Sequence, residues 1–118
     1  MKRSTMEKYL ITILHAEELE GVARTSAIAE ALGVTPSSVS ESCGKLAKCG
    51  LVEWRPYRGA HLTNQGRTIV QNLLRRSDVL TDFFTMIGVN GEHAREEARK
   101  MAGEISEESL KRLDLLLG

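Results

Sequence analysis

The chain has little of what marks a secreted or membrane protein. It contains only two cysteines, two prolines and 4% aromatic residues among 118 residues. No apolar run reaches about 18 residues, so the sequence predicts no membrane-spanning helix. The opening MKRSTMEKYL lacks the apolar core of a secretory signal, which favours a cytoplasmic protein. Cys43 and Cys49 lie on different faces of one predicted helix, so we expect two reduced thiols.

Net charge is also absent, because 16 Lys+Arg balance 16 Asp+Glu. The two halves differ, however. Residues 1–76 hold 11 Lys+Arg against 7 Asp+Glu, whereas residues 77–118 hold 5 against 9. A basic half joined to an acidic half is typical of a DNA reader attached to a segment that binds a partner or assembles. A chain of this length often completes its core by oligomerising.

The first part of the chain has the pattern of two helices joined by a glycine turn. Apolar residues at helical spacing predict one helix over about residues 4–19. The next helix starts near Thr25 or Ser26, either of which can serve as its N-cap. Gly33 then provides the left-handed turn residue that a helix-turn-helix requires.

A third helix and a hairpin follow this turn. Thr35 is a good N-cap, Pro36 occupies the first helical position, and Gly50 ends the helix. Leu51–Arg55 and Ala60–Thr63 read as two short strands joined by a basic Pro-Tyr-Arg-Gly turn. Together these elements predict a winged helix-turn-helix.

The remaining residues predict only helices. A long helix covers about residues 64–87, another lies near residues 92–103, and Ser106 can cap a last one. We therefore predict a mainly α protein, with a winged helix-turn-helix DNA-binding domain over residues 1–72. A helical dimerisation domain follows over residues 73–118, and the long helix bridges the two.

The predicted DNA contacts lie at the start of the third helix and in the wing. A helix fits the major groove, and its N-terminal residues reach base edges. Small hydroxyl residues permit close approach, while lysines and wing arginines suit phosphate. The predicted contacts are Thr35, Pro36, Ser37, Ser38, Ser40, Glu41, Lys45, Lys48, Arg55, Tyr57 and Arg58.

Other interpretations of these residues stay open at this point. The serines alone fit a solvated helix start, and the arginines alone fit a solvated hairpin. A winged helix can also bind protein rather than DNA, and a steep salt dependence of binding would distinguish DNA. No catalytic set with supporting context is present, so we predict no enzyme.

Apolar residues in the second half predict a dimer interface, because they exceed what a short helical tail can hide. They are Leu80, Phe83, Phe84, Met86, Leu110, Leu113, Leu116 and Leu117. The alternative is that these side chains form a core within one chain.

These motifs together resemble the DtxR/MntR family of metal-dependent transcriptional regulators, with the manganese-sensing branch most similar. The resemblance is carried by MEKYLITIL, IAEALGVTPSSVSESCGKL and YRGAHLTNQG, and by the Phe-Phe-x-x-Ile-Gly-Val run that starts at Phe83. It covers nearly the whole chain. It implies a cytoplasmic homodimeric repressor that binds a double-stranded DNA operator.

The resemblance also implies an Mn²⁺ or Fe²⁺ site, and here the sequence departs from the family. The positions that match family ligands are Lys8, Ile11, Ser77, Thr81, Arg95, Arg99, Ala102 and Gly103. None is a good ligand for a first-row metal. Lys8 and Arg99 would place positive charge at the dication. We therefore expect the inherited site to be lost and predict no cofactor.

A relocated Mn or Fe site is an open alternative. His93 with Glu96 and Glu97, or His15 with Glu18, has helical spacing, although exposed helix pairs show the same pattern. His61 lies in a wing strand and can face solvent or DNA.

A further hypothesis concerns Lys8 and Arg99. Salt bridges from these cations could tie the first helix to the dimerisation segment, as the metal does in relatives, or the cations could bind a small anionic effector. The available carboxylate partners are Glu7, Asp78, Asp82 and Glu97.

Overall fold

A computed structural model describes all 118 residues as six helices and one two-stranded sheet. The elements are α1 (Arg3–Glu20), α2 (Thr25–Leu32), α3 (Pro36–Lys48), β1 (Val52–Arg55), β2 (Gly59–Leu62), α4 (Asn64–Met86), α5 (Gly91–Met101) and α6 (Glu107–Leu117). The chain divides into two units, Met1–Val70 and Gln71–Gly118, and α4 belongs to both. The predicted mainly α, winged helix-turn-helix architecture is confirmed. None of the six helices combines the length and the apolar character needed to cross a membrane.

The core of the first unit is built by the three N-terminal helices and the hairpin. α1 contacts α2, α2 contacts α3, and the hairpin packs on α1 and α3. The large aliphatic side chains that are at most 2% exposed include Leu10, Ile13, Ile28, Val39 and Leu46. Burying one such side chain contributes about 1.5–3 kcal/mol. These contacts fix the start of α3 relative to the hairpin.

The start of α3 is capped as predicted, whereas the start of α2 is not. The Thr35 hydroxyl accepts the backbone N–H of Ser38 at 3.1 Å, and Pro36 opens the helix. The N-cap of α2 is Arg24, without a side-chain cap, so the prediction of Thr25 or Ser26 is wrong. The reason is that Ala23 pairs with Ala60 of β2, which keeps the chain extended through Arg24.

One hydroxyl links the end of α3 to the start of α4. Thr63 Oγ1 donates to the Gly50 carbonyl at 2.7 Å and accepts the Gly66 N–H at 3.1 Å. A Cβ at Gly66 would overlap the backbone carbonyl oxygen of Leu51, so this turn of α4 lies directly against the chain that leaves α3. Thr63 and Gly66 therefore set how α4 leaves the hairpin.

The second unit has a small core of its own. Leu80, Ala98 and Ala102 are at most 3% exposed, and Phe84 and Leu113 pack against them together with Ile105. Leu110 is also 1% exposed. Leu80 and Leu110 are thus already buried within one chain, which leaves them little surface for the dimer interface predicted for them. The 3.6-residue period identifies an apolar stripe without saying what covers it.

The two cysteines are predicted to differ sharply in reactivity. Burial raises the pKa of the Cys43 thiol to about 11, whereas Cys49 is exposed at the end of α3. At about pH 8, a thiol with a pKa of about 11 is ionised in only about one molecule in a thousand. We expect a thiol-specific chromogenic reagent to label one cysteine in the native protein and both after denaturation. Cys49→Ser should abolish the native reaction, and rapid native labelling of that variant would contradict the burial of Cys43.

Candidate nucleic-acid interface

The start of α3 presents a polar, exposed edge. Thr35, Pro36, Ser37 and Ser38 are all exposed, and Ser40 is half-buried. Val39, between them, is fully buried against the core. The helix therefore turns its hydroxyl-bearing side to solvent and its apolar side inward, which is the orientation that a groove-reading helix needs.

Hydroxyl groups at this edge differ in how free they are. The Thr35 hydroxyl donates to Ser38 Oγ at 3.0 Å as well as accepting the Ser38 N–H, so it is occupied by the cap. Ser38 Oγ accepts that bond and keeps its own proton for another acceptor. Ser37 forms no side-chain hydrogen bond within the protein. Ser37 and Ser38 are thus available to an external partner, and Thr35 chiefly shapes the helix start.

The next turn of α3 carries mixed charge. Lys45 Nζ lies 3.4 Å from Glu41 Oε1, and both side chains are more than half exposed. Such an exposed i,i+4 pair is weak, so Lys45 can exchange its partner for a phosphate at small cost. Lys48 is exposed one turn further along.

The wing holds its basic residues away from the protein. Arg55, Tyr57 and Arg58 are exposed. Tyr57 is fully exposed to solvent, with a relative accessibility of 102%. Tyr57 has a φ of 67°, in the left-handed region that few non-glycine residues adopt. The Arg58 N–H donates to the Arg55 carbonyl at 3.1 Å and closes the turn. The fold thus presents an aromatic ring flanked by two guanidinium groups.

β2 of the wing pairs with Ala23, a contact that sequence reasoning missed. Ala23 and Ala60 exchange backbone hydrogen bonds of 3.0 and 2.8 Å, which extends the hairpin by one bridge. A Cβ at Gly59, whose φ is 89°, would lie 2.5 Å from the Ala23 carbonyl oxygen. Only glycine fits this approach, and the Arg-Gly step of the wing motif is the signal that indicates it.

The second unit exposes apolar side chains in α4 and α6. Met86 is 54% exposed and Leu116 is 65% exposed, while Phe83, Phe84, Leu113 and Leu117 are partly buried. Ile87 and Leu115 are also exposed, at 58% and 76%, although they are not among the predicted interface residues. Exposed apolar residues in this number suit a protein–protein contact.

The positions that match family metal ligands carry no donor set. Lys8, Arg95 and Arg99 are exposed cations, and the Thr81 hydroxyl donates to the Ser77 carbonyl at 2.8 Å. Arg99 forms no salt bridge with Asp78 or Asp82 within the second unit. Across the chain, no three His, Cys, Asp or Glu side chains cluster as a metal site would require.

A buried guanidinium lies next to these positions. Arg76, directly before Ser77, is 8% exposed and is the only charged residue that is buried when backbone and side chain are counted together. Its Nε donates to the Ala102 carbonyl at 2.6 Å, its second terminal nitrogen donates to the Ile105 carbonyl, and its first lies 2.8 Å from Glu107 Oε1. An Arg side chain stays protonated, so a fixed positive charge occupies this part of the second unit.

Two family models match the chain almost end to end. Residues 1–60 match the model described as iron dependent repressor, N-terminal DNA binding domain. Residues 63–118 match the model described as iron dependent repressor, metal binding and dimerisation domain. The second model covers the unit that contains Arg76 and the exposed apolar residues.

Individual relatives agree with these models. The chain is 38% identical to the HTH-type transcriptional regulator MntR of Oceanobacillus iheyensis over 96% of this chain and 77% of that protein. It is 36% identical to MntR of Bacillus subtilis over 96% of this chain and 80% of that protein. A solved manganese-dependent transcriptional repressor in complex with manganese superposes with a TM-score of 0.82 and 31% identity, over 96% of this chain and 52% of that one. The chain therefore belongs to the DtxR/MntR family of iron-dependent-repressor-type transcriptional regulators, which bind DNA as dimers and are not enzymes.

Proposed function

We propose that this protein is a cytoplasmic repressor that reads its operator with the start of α3 and with the wing, and that does so without a metal corepressor. Membership of a family of DNA-binding regulators supports the first part. The residues at the family's metal positions support the second. The observation that carries metal independence is the Arg76 guanidinium, which is bound to the carbonyl of Ala102, one of those positions.

The assignment of DNA contacts follows from exposure and chemistry. Ser37, Ser38 and Ser40 present hydroxyls to the floor of the major groove, where each can donate or accept, and Pro36 offers an apolar contact to a thymine methyl. Glu41 can accept from a cytosine amino group. Cationic groups of Lys45, Lys48, Arg55 and Arg58 suit phosphate, and Tyr57 suits the sugar edge beside the minor groove.

A dimer can supply the sequence specificity that one reading helix lacks. A single good base contact discriminates by only about 1–3 kcal/mol, so two half-sites related by symmetry are the effective route to specificity. The exposed apolar residues of α4 and α6 support a homodimer interface formed by Phe83, Phe84, Met86, Leu113, Leu116 and Leu117. We expect an operator with two similar half-sites about one or more helical turns apart.

Metal independence rests on the chemistry of the second unit. A divalent cation needs neutral or anionic donors, and Ser77, Ala102 and Gly103 offer only a hydroxyl and backbone groups. The guanidinium of Arg76 adds fixed positive charge at the same place. The candidate replacement pair, His93 Nε2 and Glu97 Oε1, is 3.9 Å apart on the exposed surface of α5 and has no third donor.

Selection of genomic fragments by the purified protein tests both parts of the proposal. Fragments from the source organism would be selected with the chelator EDTA or with added Mn²⁺, then footprinted. We expect the same two-half-site operator and an affinity within about twofold in both conditions, because no ligand set senses the metal. Loss of binding in EDTA that Mn²⁺ restores would disprove metal independence. Absence of any selected fragment in both conditions would disprove the DNA-reading assignment.

A further inference from the structure

A buried carboxylate joins three elements of the first unit. The Glu17 side chain, near the end of α1, is only 8% exposed. Its Oε1 accepts a hydrogen bond from Arg67 of α4 at 2.8 Å and lies 3.2 Å from His61 Nδ1 of β2. Sequence reasoning missed this cluster because His61 and Arg67 lie 44 and 50 positions after Glu17 in the chain.

The cluster is only partly satisfied. Glu17 Oε2 is buried and has no hydrogen-bond partner. A buried carboxylate is costly unless it is paired, and here its pairing depends on one permanent cation and one imidazole. Arg67 is 40% exposed and His61 is 48% exposed, so the imidazole can exchange protons with solvent. The hydrogen bond between His61 and Glu17 therefore links β2 to α1.

We propose that Glu17 is a positioning residue for the wing, and that protonation of His61 tightens the attachment of β2 to α1 and so favours DNA binding. The inference rests on the proposed role of the wing in reading DNA. β2 carries Gly59 and leads directly from Arg58, so a firmer β2 holds the exposed guanidinium groups in one orientation. Ordering these groups before binding reduces the entropy lost on binding.

Charged groups from β1, the wing turn and α4 surround His61. On β1, Glu53 is its direct partner in the sheet register, and Arg55 lines the same shallow hollow together with Arg58 from the turn. On α4, Arg67 shares the Glu17 oxygen with His61. His61 thus lies between two carboxylates and three guanidinium groups, and Glu17 is the one with which it makes a hydrogen bond. Protonation places a positive charge against the one carboxylate that His61 hydrogen-bonds, so the tightened state is favoured as pH falls.

A measurement without DNA tests the attachment itself. Trp54 is the only tryptophan and lies in β1, opposite Ala60 and next to the Glu53–His61 pair. We expect its fluorescence lifetime to change between about pH 8 and about pH 6. This change should persist in His15→Gln, which removes an exposed histidine from the same helix as Glu17, and disappear in both His61→Gln and Glu17→Gln. If Glu17→Gln kept the change, the carboxylate would have no part in it and the proposal would be overturned.

DNA binding tests the consequence. The probe is the selected operator duplex, and the quantity is the ratio of Kd at about pH 8 to Kd at about pH 6. We expect this ratio to be about threefold smaller in His61→Gln and Glu17→Gln than in His15→Gln, as a partly exposed ion pair allows. If the pH dependence of Kd disappeared in His61→Gln but persisted in Glu17→Gln, His61 would contact DNA directly. That result would overturn the positioning role of Glu17.

The two readouts separate the possible failures. His61→Gln alters a half-exposed side chain and keeps a hydrogen-bonding group, so it remains informative if Glu17→Gln fails to fold. Failure of every variant and of the wild type to bind any duplex would count against the proposed function alone, because the Trp54 measurement needs no DNA. An unchanged Trp54 lifetime with normal DNA binding would overturn the inference alone.

Discussion

Reversing two charges in the wing, by Arg55→Glu with Arg58→Glu, is expected to weaken operator binding by about 100-fold, because each lost phosphate contact is taken as worth about tenfold. Both side chains are exposed, so the free energy of unfolding should change little. The salt dependence of binding should also flatten, because fewer counterions are released. Fluorescence anisotropy with a labelled operator at several salt concentrations measures both effects.

A matched reversal elsewhere controls for net charge. Lys100→Glu with Lys111→Glu changes the charge of the protein by the same amount at two exposed positions of the second unit. We expect this variant to bind with nearly wild-type affinity, apart from the weak long-range term that salt screens. If both double variants lost affinity equally, the effect would come from overall charge, and the wing would have no specific role.

Gly66→Ala is expected to cause a large loss of stability. The new Cβ would overlap the backbone carbonyl oxygen of Leu51, which cannot move aside as a flexible side chain can. Overpacking against backbone costs about 3 kcal/mol or more, which corresponds to a fall in Tm of at least about 10 °C. Thermal unfolding followed by circular dichroism measures the change.

Gly44→Ala is the matched control in the same unit. Gly44 lies within α3, and a Cβ there would meet no atom within 4 Å. Replacing an open mid-helix glycine should stabilise the protein by roughly 0.5–1 kcal/mol. A comparable loss of stability in both variants would show that the approach of Leu51 to α4 is not the cause.

Local signals predicted much of the fold. Thr35 and Pro36 mark the start of α3, and Ser106 caps α6, because caps and first-turn prolines act over three or four residues. The bridge between Ala23 and Ala60 has no such signal, since it joins segments far apart in the chain. For that reason the N-cap of α2 was predicted one or two residues too late.

The site shows the same limit. The exposed start of α3 and the basic wing follow from residue type and order, so their positions are predictable. The burial of Leu80 and Leu110 is not predictable from the sequence. The same apolar stripe can pack in a core or in an interface, and only the neighbouring elements decide which. The carboxylate of Glu17 is the extreme case: it looks like a surface residue near a helix end, and only the fold brings Arg67 to it.

The Thr63 hydroxyl has a consequence for how the protein loosens. The same oxygen donates to Gly50 at the end of α3 and accepts from Gly66 in the first turn of α4. Fraying of either helix end removes one of the two hydrogen bonds that orient this hydroxyl, so we expect the bond at the other end to weaken as well. α4 starts at this hydroxyl and continues to Met86, so the residue that ends the hairpin also fixes the first turn of the longest helix of the chain.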